Sequence, residues 1–238
     1  MSGQHSRTSW ARRSFLSRIG TGAAVVGAAF GAGASSVAAQ TPASPAGPWQ
    51  PARHPEDDWL EQPPAKHRFF LDTTTPDALG MALVYANNYF TANRSGYNLA
   101  DSDVSVVICA RHQSTAFAFT DAMWAKYGPA MAEQASFTNP SMKQPPTVNI
   151  YQATGSVAGL VNRGVTLDSL FARGVRLAVC QMATRGIAMR IAQKMDGNAD
   201  DIFKELVANR VPNTHMVAAG IVAVNRAQER GYSFSYVG

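Results

Sequence analysis

Short runs of apolar residues alternate along most of the chain with longer stretches in which apolar residues recur every three or four positions. The first pattern is typical of buried strands, and the second is typical of helices with one apolar face. Strands are predicted over residues 68–72, 104–109, 175–180, 215–219 and 232–237. Strands and helices that alternate in this way indicate an α/β fold, in which helices cover both faces of a parallel sheet.

The predicted helices lie between these strands. The first follows Thr75 and Pro76, because threonine is favoured at the N-cap and proline at the first helical position. Leu79, Leu83 and Phe90 then share one face of that helix. Further helices are predicted over residues 114–127, 167–171, 182–194, 199–209 and 221–230.

Residues 129–165 depart from this alternation. Gly128 and Pro129 are expected to end the helix over 114–127, and further prolines and a glycine punctuate the residues that follow. Only residues 147–151 have an extended pattern. We interpret 129–165 as an insertion or lid within the domain rather than as a second domain, because irregular connections of this length are often functional.

Residues 1–39 have the pattern of a twin-arginine export signal. Arg12 and Arg13 precede a run of Gly, Ala and Val up to residue 34, which is too weakly apolar for a good membrane span. Small residues then precede the expected cleavage point, which follows Ala39. We predict export by the twin-arginine pathway to the periplasm or another external compartment, with no stable membrane insertion after cleavage. An uncleaved amphipathic anchor is the alternative.

The positive charge of the chain is concentrated in that signal. Residues 1–39 hold four arginines and no acid, so their removal leaves 17 of the 21 basic residues against 16 acids, a net charge of about +1. A mature chain so close to neutral does not indicate nucleic-acid binding. Residues 40–65, rich in Pro and Ala, are predicted to be a tether without a core of its own. Residues 66–238 are long enough for one folded domain.

Cys180 is the main candidate for chemistry, because it stands where the third strand ends and a helix begins. Parallel sheets bind their ligands at this carboxyl edge. A helix N-terminus offers free amide donors and a partial positive charge, which favour a thiolate over a thiol, and Arg185 lies one turn further on. The alternative is that Cys180 is a small buried hydrophobic residue.

The segment that ends in Cys180 resembles a known family. Residues 174–180, followed by Arg185 and Gly186, resemble the active-cysteine segment of the DsrE/DsrF/TusD-like sulfur-relay family, and residues 215–236 resemble its final strand, helix and strand. The resemblance implies a three-layer α/β/α protomer with a mostly parallel sheet of about five strands, assembled into trimers or hexamers. It also implies that Cys180 accepts sulfur. An export signal departs from the cytosolic setting of the family, so neither its usual partner nor a role in tRNA thiolation is implied.

Cys109 ends the second strand, and Arg111 and His112 follow it to the same edge of the sheet. An exported protein with two cysteines can form a disulfide. In a strand order of 2-1-3-4-5 the first strand would separate Cys109 from Cys180 by about 9–10 Å, beyond disulfide reach, although loops could close the gap. His112 is a candidate proton acceptor for Cys180, and a histidine that bonds only to backbone is the alternative.

The sequence indicates no metal site and no cofactor. Its five histidines are scattered, and no pair of cysteines or histidines has metal-ligand spacing. Met182 and Met189 are interpreted as core residues rather than as a copper site. Residues 72–75 lie at the mouth of the first helix, where they can hold a small anion or serve only as caps.

The leading hypothesis is an exported sulfur carrier or transferase that holds a persulfide on Cys180 and works as a homo-oligomer. Its partner would be a small sulfur-containing anion or a thiol. The alternative is a non-catalytic α/β binding module in which Cys180 is structural and buried. A redox protein that uses both cysteines is a third possibility.

Overall fold

The computed structural model of the protein describes residues 49–152 and 157–238. The predicted signal at 1–39 and the first part of the predicted tether therefore lie outside the described residues. Residues 50–238 form one compact unit. No helix in the described part of the chain is long and apolar enough to cross a membrane.

Among the described residues, five parallel strands form a single sheet in the order β4-β3-β2-β1-β5. They are β1 (His67–Thr73), β2 (Val104–Ala110), β3 (Arg176–Cys180), β4 (Thr214–Val217) and β5 (Ser233–Tyr236). The predicted parallel sheet is confirmed, but the predicted order 2-1-3-4-5 is wrong. All seven residues of β2 are buried, whereas the first residues of β1 are exposed or half-buried. The more apolar strand takes the centre of the sheet, so the two strands that carry cysteines are neighbours.

In the part of the chain that the structure describes, six α-helices connect the strands. They are α1 (Pro76–Tyr97), α2 (Asp121–Gln134), α3 (Leu167–Phe171), α4 (Gln181–Met195), α5 (Ala199–Ala208) and α6 (Gly220–Glu229). The predicted cap of α1 is confirmed at Thr75, whose side chain accepts a hydrogen bond from the N–H of Ala78. Thr166 caps α3 in the same way and accepts a hydrogen bond from the N–H of Ser169. Sequence-local signals therefore account for the starts of α1 and α3.

Helices cover both faces of the sheet, which gives the predicted three-layer α/β/α architecture. Alternate side chains of each strand point to opposite faces. Leu71, Ile108 and Val179 face the larger core, which α1 to α5 complete. Phe70 and Ala178 face a smaller core, closed by α6 and by a 3-10 helix at Pro55–Glu61.

The second predicted helix differs from its expected bounds. Residues 112–118 form a 3-10 helix, and α2 then continues through Pro129 to Gln134. A proline inside a helix removes one backbone hydrogen bond and crowds the preceding turn. The helix continues because Met131 and its neighbours are buried in the larger core, and this packing outweighs the local cost.

The segment after α2 is packed rather than extended. The extended pattern over 147–151 does not produce a strand, since these residues form turns and bends. Asn149 Nδ2 donates hydrogen bonds of 2.8 Å to the carbonyl oxygens of Phe117 and Phe119. A Cβ on Gly128 would lie 2.4 Å from the carbonyl oxygen of Pro146, so this glycine permits the close approach of the segment to α2.

Residues 54–62, which we call the strap, also depart from prediction. They were expected to belong to a tether, but they form the 3-10 helix with one residue on each side. Leu60 is buried in the smaller core, and Tyr232 Oη donates a 2.6 Å hydrogen bond to its carbonyl oxygen. Trp59 stacks on His215 with 4.4 Å between the ring centroids. The strap is thus part of the folded domain.

Candidate active site at the carboxyl edge of the sheet

A cavity of about 310 Å³ opens at the carboxyl ends of β2 and β3. Three short segments line it. They are residues 111–112 after β2; Cys180, Met182 and Ala183 at the start of α4; and residues 219–221 at the start of α6. The cavity therefore lies where the sequence placed the ligand crevice of a parallel sheet.

Cys180 lies in the wall of this cavity. The residue is 6% exposed and forms the N-cap of α4, where its Sγ accepts a 3.4 Å hydrogen bond from the N–H of Ala183. Its carbonyl oxygen accepts a 2.9 Å hydrogen bond from Thr184 Oγ1. The sulfur is therefore held against the first turn of a fifteen-residue helix, where free amide groups favour a negative charge.

The start of α6 borders the same cavity. Gly220 is the first residue of that helix, and Ala219 and Ile221 on either side of it line the cavity. Each helix N-terminus carries a partial positive charge from its aligned peptide dipoles. Two such termini meet at one cavity, so its electrostatic potential favours an anion.

Arg111 adds a guanidinium to the wall, paired with the buried carboxylate of Asp72. Its Nε and Nη2 donate hydrogen bonds of 2.8 Å to Oδ1 and Oδ2 of Asp72, and the two side chains are 17% and 2% exposed. Bonding to Asp72 raises the pKa of Arg111. This two-bond geometry fixes the plane of the guanidinium. Asp72 is thus the residue that positions Arg111.

Gly220 allows α6 to come this close to β2. A Cβ at this position would lie 2.6 Å from Arg111 Cβ and 3.0 Å from Cys109 Sγ. Side chains do not approach each other so closely in folded proteins. The glycine is therefore required for the packing of the cavity wall.

His112 reaches the same cavity from the end of β2. Its φ is 55°, in the left-handed region that few residues other than glycine adopt, and the residue is exposed. Backbone of this kind is common at functional sites. The structure therefore brings together two of the three residues that the sequence singled out, Cys180 and His112.

Arg185 lies elsewhere. Its guanidinium carbon is 4.1 Å from the ring centroid of Phe203, and its Nη1 is 3.6 Å from Asp200 Oδ1. Arg185 follows Cys180 by five residues, which rotates its side chain about 140° past a full turn of the helix. It therefore points to α5 rather than into the cavity at Cys180. It lines a separate cavity between α4 and α5 and is not among the residues around Cys180.

Cys109 and Cys180 are both free thiols. Cys109 pairs in register with Ala178, which places Cys180 two residues further along the neighbouring strand. Diagonal neighbours of this kind are about 7–8 Å apart, beyond ordinary disulfide geometry. Cys109 is fully buried, and burial raises the pKa of its thiol well above the usual range. The two sulfurs thus have different environments.

Residues 72–75 act as structural anchors. Asp72 holds Arg111, Thr73 Oγ1 donates a 2.7 Å hydrogen bond to the carbonyl oxygen of Cys109, and Thr75 caps α1. Thr74 Oγ1 donates a 2.6 Å hydrogen bond to the carbonyl oxygen of Gly238. These side chains are already engaged, which favours the capping interpretation over an anion site.

Two features of the site were missed by sequence reasoning. Asp72 was interpreted as part of a cap or an anion site, although an acid at the end of a buried strand is a signal for a partner at that edge. Met182 was interpreted as a core residue, but it is 70% exposed and lines the cavity beside Cys180. Its place in the first turn of a helix, before the apolar face begins, is the signal that could have shown this.

Comparison with family models and with curated proteins gave no match for this chain. The resemblance to the DsrE/TusD-like family therefore stays a prediction. Within residues 49–152 and 157–238, no group of three or more His, Cys, Asp or Glu side chains is arranged to hold a metal ion.

Proposed function

We propose that the protein is an exported DsrE-like sulfur carrier or transferase that holds sulfane sulfur as a persulfide on Cys180. The observation that carries this proposal is the position of Cys180 Sγ, which caps α4 in the wall of a cavity bordered by two helix N-termini and Arg111. These groups favour both a thiolate and an anionic donor.

The transfer requires only thiol and persulfide chemistry. The Cys180 thiolate attacks the outer sulfur of a donor persulfide, the donor S–S bond breaks, and the donor leaves as a thiolate. Cys180 then carries one additional sulfur, and an acceptor thiolate removes it by the same step in reverse. His112 takes the proton of the Cys180 thiol before attack and returns a proton to the leaving thiolate.

The size and shape of the cavity limit the donor. A volume of about 310 Å³ accommodates a small sulfur-containing anion, a small thiol or the end of an exposed chain, but not a folded partner. Transfer to the periplasm by the twin-arginine signal and assembly into a trimer or hexamer belong to the same proposal. Export rests on the pattern of residues 1–39, and assembly rests on the resemblance.

The second candidate function is a non-catalytic binding module. The low exposure of Cys180 favours it, because a cysteine that is 6% exposed is also typical of a structural residue. In that case the cavity binds a small anion through Arg111 and the helix N-termini without any covalent step.

Intact-mass measurement separates the two functions. The purified protein is incubated with inorganic polysulfide and then analysed before and after reduction. We expect a reducible gain of one sulfur atom that the Cys180→Ser variant loses and the Cys109→Ser variant keeps. A protein that gains no sulfur, or that gains it equally in Cys180→Ser, contradicts the persulfide proposal.

A further inference from the structure

We propose that the cavity is also a copper(I) site, with Cys180, Met182 and His112 as its ligands. This inference goes beyond the persulfide chemistry and does not depend on it. It rests on three soft donors, a thiol, a thioether and an imidazole, that line one cavity.

Two of the donors come from the first turn of α4. Cys180 is the N-cap and Met182 is the second helical residue, so both sulfur side chains leave the helix at the same end. Met182 is 70% exposed at the cavity, although a large apolar side chain usually gains stability from burial. Its thioether is therefore free to bind an ion in the cavity.

The third donor comes from a different part of the chain. His112 follows β2, the strand next to β3, so the two segments end side by side at the edge of the sheet. Its left-handed backbone turns the chain at this point. Because the ligands come from separate segments, no metal-ligand spacing is visible in the sequence.

The surroundings favour a monovalent soft ion. The cavity lining contains no carboxylate, and the nearby carboxylate of Asp72 is bonded to Arg111. The Arg111 charge and the two helix N-termini oppose a divalent cation. A copper(I) ion bound to the Cys180 thiolate is neutral overall, and sulfur with imidazole suits copper(I). Binding displaces the thiol proton and changes no oxidation state.

The test is an anaerobic titration of the metal-free protein with copper(I), in competition with a chromogenic copper(I) chelator. The wild type is expected to bind one ion. Cys180→Ser should abolish binding, and Met182→Leu and His112→Asn should each weaken it by about tenfold or more. Met189→Leu is the matched control, because Met189 is an exposed methionine of α4 that lines the other cavity.

The proposal is overturned if the wild type does not compete for copper(I), or if Met182→Leu binds as tightly as Met189→Leu. Asparagine tolerates a left-handed backbone, and Met182 is exposed, so both variants are expected to fold; circular dichroism verifies this. Persulfide loading is measured separately on metal-free protein. A protein that binds copper(I) but does not load sulfur, or that loads sulfur but does not bind copper(I), therefore distinguishes the two proposals.

Discussion

The two ends of the sheet both use arginine side chains, but to different effect. At the amino ends of the strands, Arg230 is 4% exposed in its side chain and contacts Asp58 at 3.2 Å, Glu61 at 3.1 Å and the carbonyl oxygen of His54 at 2.8 Å. Arg176 donates to the strap carbonyl oxygens of Trp59 and Gln62 and, at 2.9 Å, to Tyr232 Oη.

At the carboxyl ends, the balance of charge is different. The Arg111 guanidinium donates to Asp72 and shares the cavity wall with two helix N-termini. The two arginines that hold the strap are surrounded by carboxylates and carbonyl oxygens, whereas the cavity combines positive groups with a thiol. The comparison teaches that the arginines at the amino end hold the fold together, whereas the positive groups at the carboxyl end border a cavity.

The largest effect should come from breaking the strap. Arg230→Met removes the buried guanidinium that joins two carboxylates and a carbonyl oxygen of the strap, so we expect the free energy of unfolding to fall by about 3 kcal/mol. Urea denaturation measures the change. Arg53→Met is the control, because Arg53 also contacts Glu61 but lies at the surface, and it should have little effect. Equal losses in the two variants would show that the strap is not held by its buried arginine.

The next largest effect concerns the reactivity of the two thiols. We expect iodoacetamide at pH 8 to label Cys180 in the native protein at least about a hundredfold faster than Cys109, because only a thiolate reacts. Peptide mapping by mass spectrometry measures both rates, with urea-unfolded protein as the control. Comparable native rates would mean that the cavity does not distinguish the two sulfurs.

Cys109 also makes stability depend on pH. Its pKa is raised in the folded state, so the stability that it contributes is fully present below the unfolded pKa, about 8.5. Above that pH the unfolded chain loses its proton first, and the free energy of unfolding should decrease. Cys109→Ala, measured by urea denaturation from pH 7.5 to 10, should remove this part of the decrease. An unchanged slope would contradict the assignment.

A smaller effect is expected from crowding the cavity wall. Gly220→Ala places a Cβ against Arg111, and we expect a loss of about 1–3 kcal/mol in the free energy of unfolding together with slower sulfur loading. Gly186→Ala in α4 is the matched control. No atom lies within 4 Å of its added Cβ, so it should stabilise the protein by roughly 0.5–1 kcal/mol. Similar results for the two variants would argue against a tight α6 contact.

The smallest effect is the acid response of the strap. The hydrogen bond from Arg53, with the charges of Arg230 and Arg68, lowers the pKa of Glu61. The stability that Glu61 contributes is therefore present above its unfolded pKa, about 4.3, and is lost as the pH falls through the lower folded pKa. Protection of the amides of residues 54–62 against hydrogen exchange, corrected for the intrinsic exchange rate at each pH, should fall below about pH 4, and Glu61→Gln should remove that pH dependence. Constant protection in the wild type would contradict it.

Local patterns predicted most of the helices and strands of this fold. Helices α1 and α3 begin at threonine caps, and strands β2 and β3 are apolar runs, so the local sequence alone indicates these four elements. Their predicted bounds agree with the structure within one or two residues. The order of the strands was not predictable in this way. It depends on which strand is buried most completely, and several strands in the sequence are similarly apolar.

Features that depend on distant partners were missed. The strap contains few apolar residues, and its main contacts are arginines from β3 and the end of α6. In the site, the positions of Cys180 and His112 could be predicted, because each residue lies where a parallel strand ends at the same edge of the sheet. Arg185 was misplaced because spacing along a helix was considered without its rotation. Asp72 and Met182 were missed because their roles depend on a neighbouring strand and on the cavity.

The strap has a consequence for the time at which the domain is completed. Its contacts include Arg176 and Arg230, which the ribosome makes long after residues 54–62. The strap therefore cannot pack against the domain until nearly the entire polypeptide has been synthesised. A chain that crosses a membrane before its synthesis is complete would cross without the strap contacts, whereas a fully synthesised and folded chain would cross with these contacts formed.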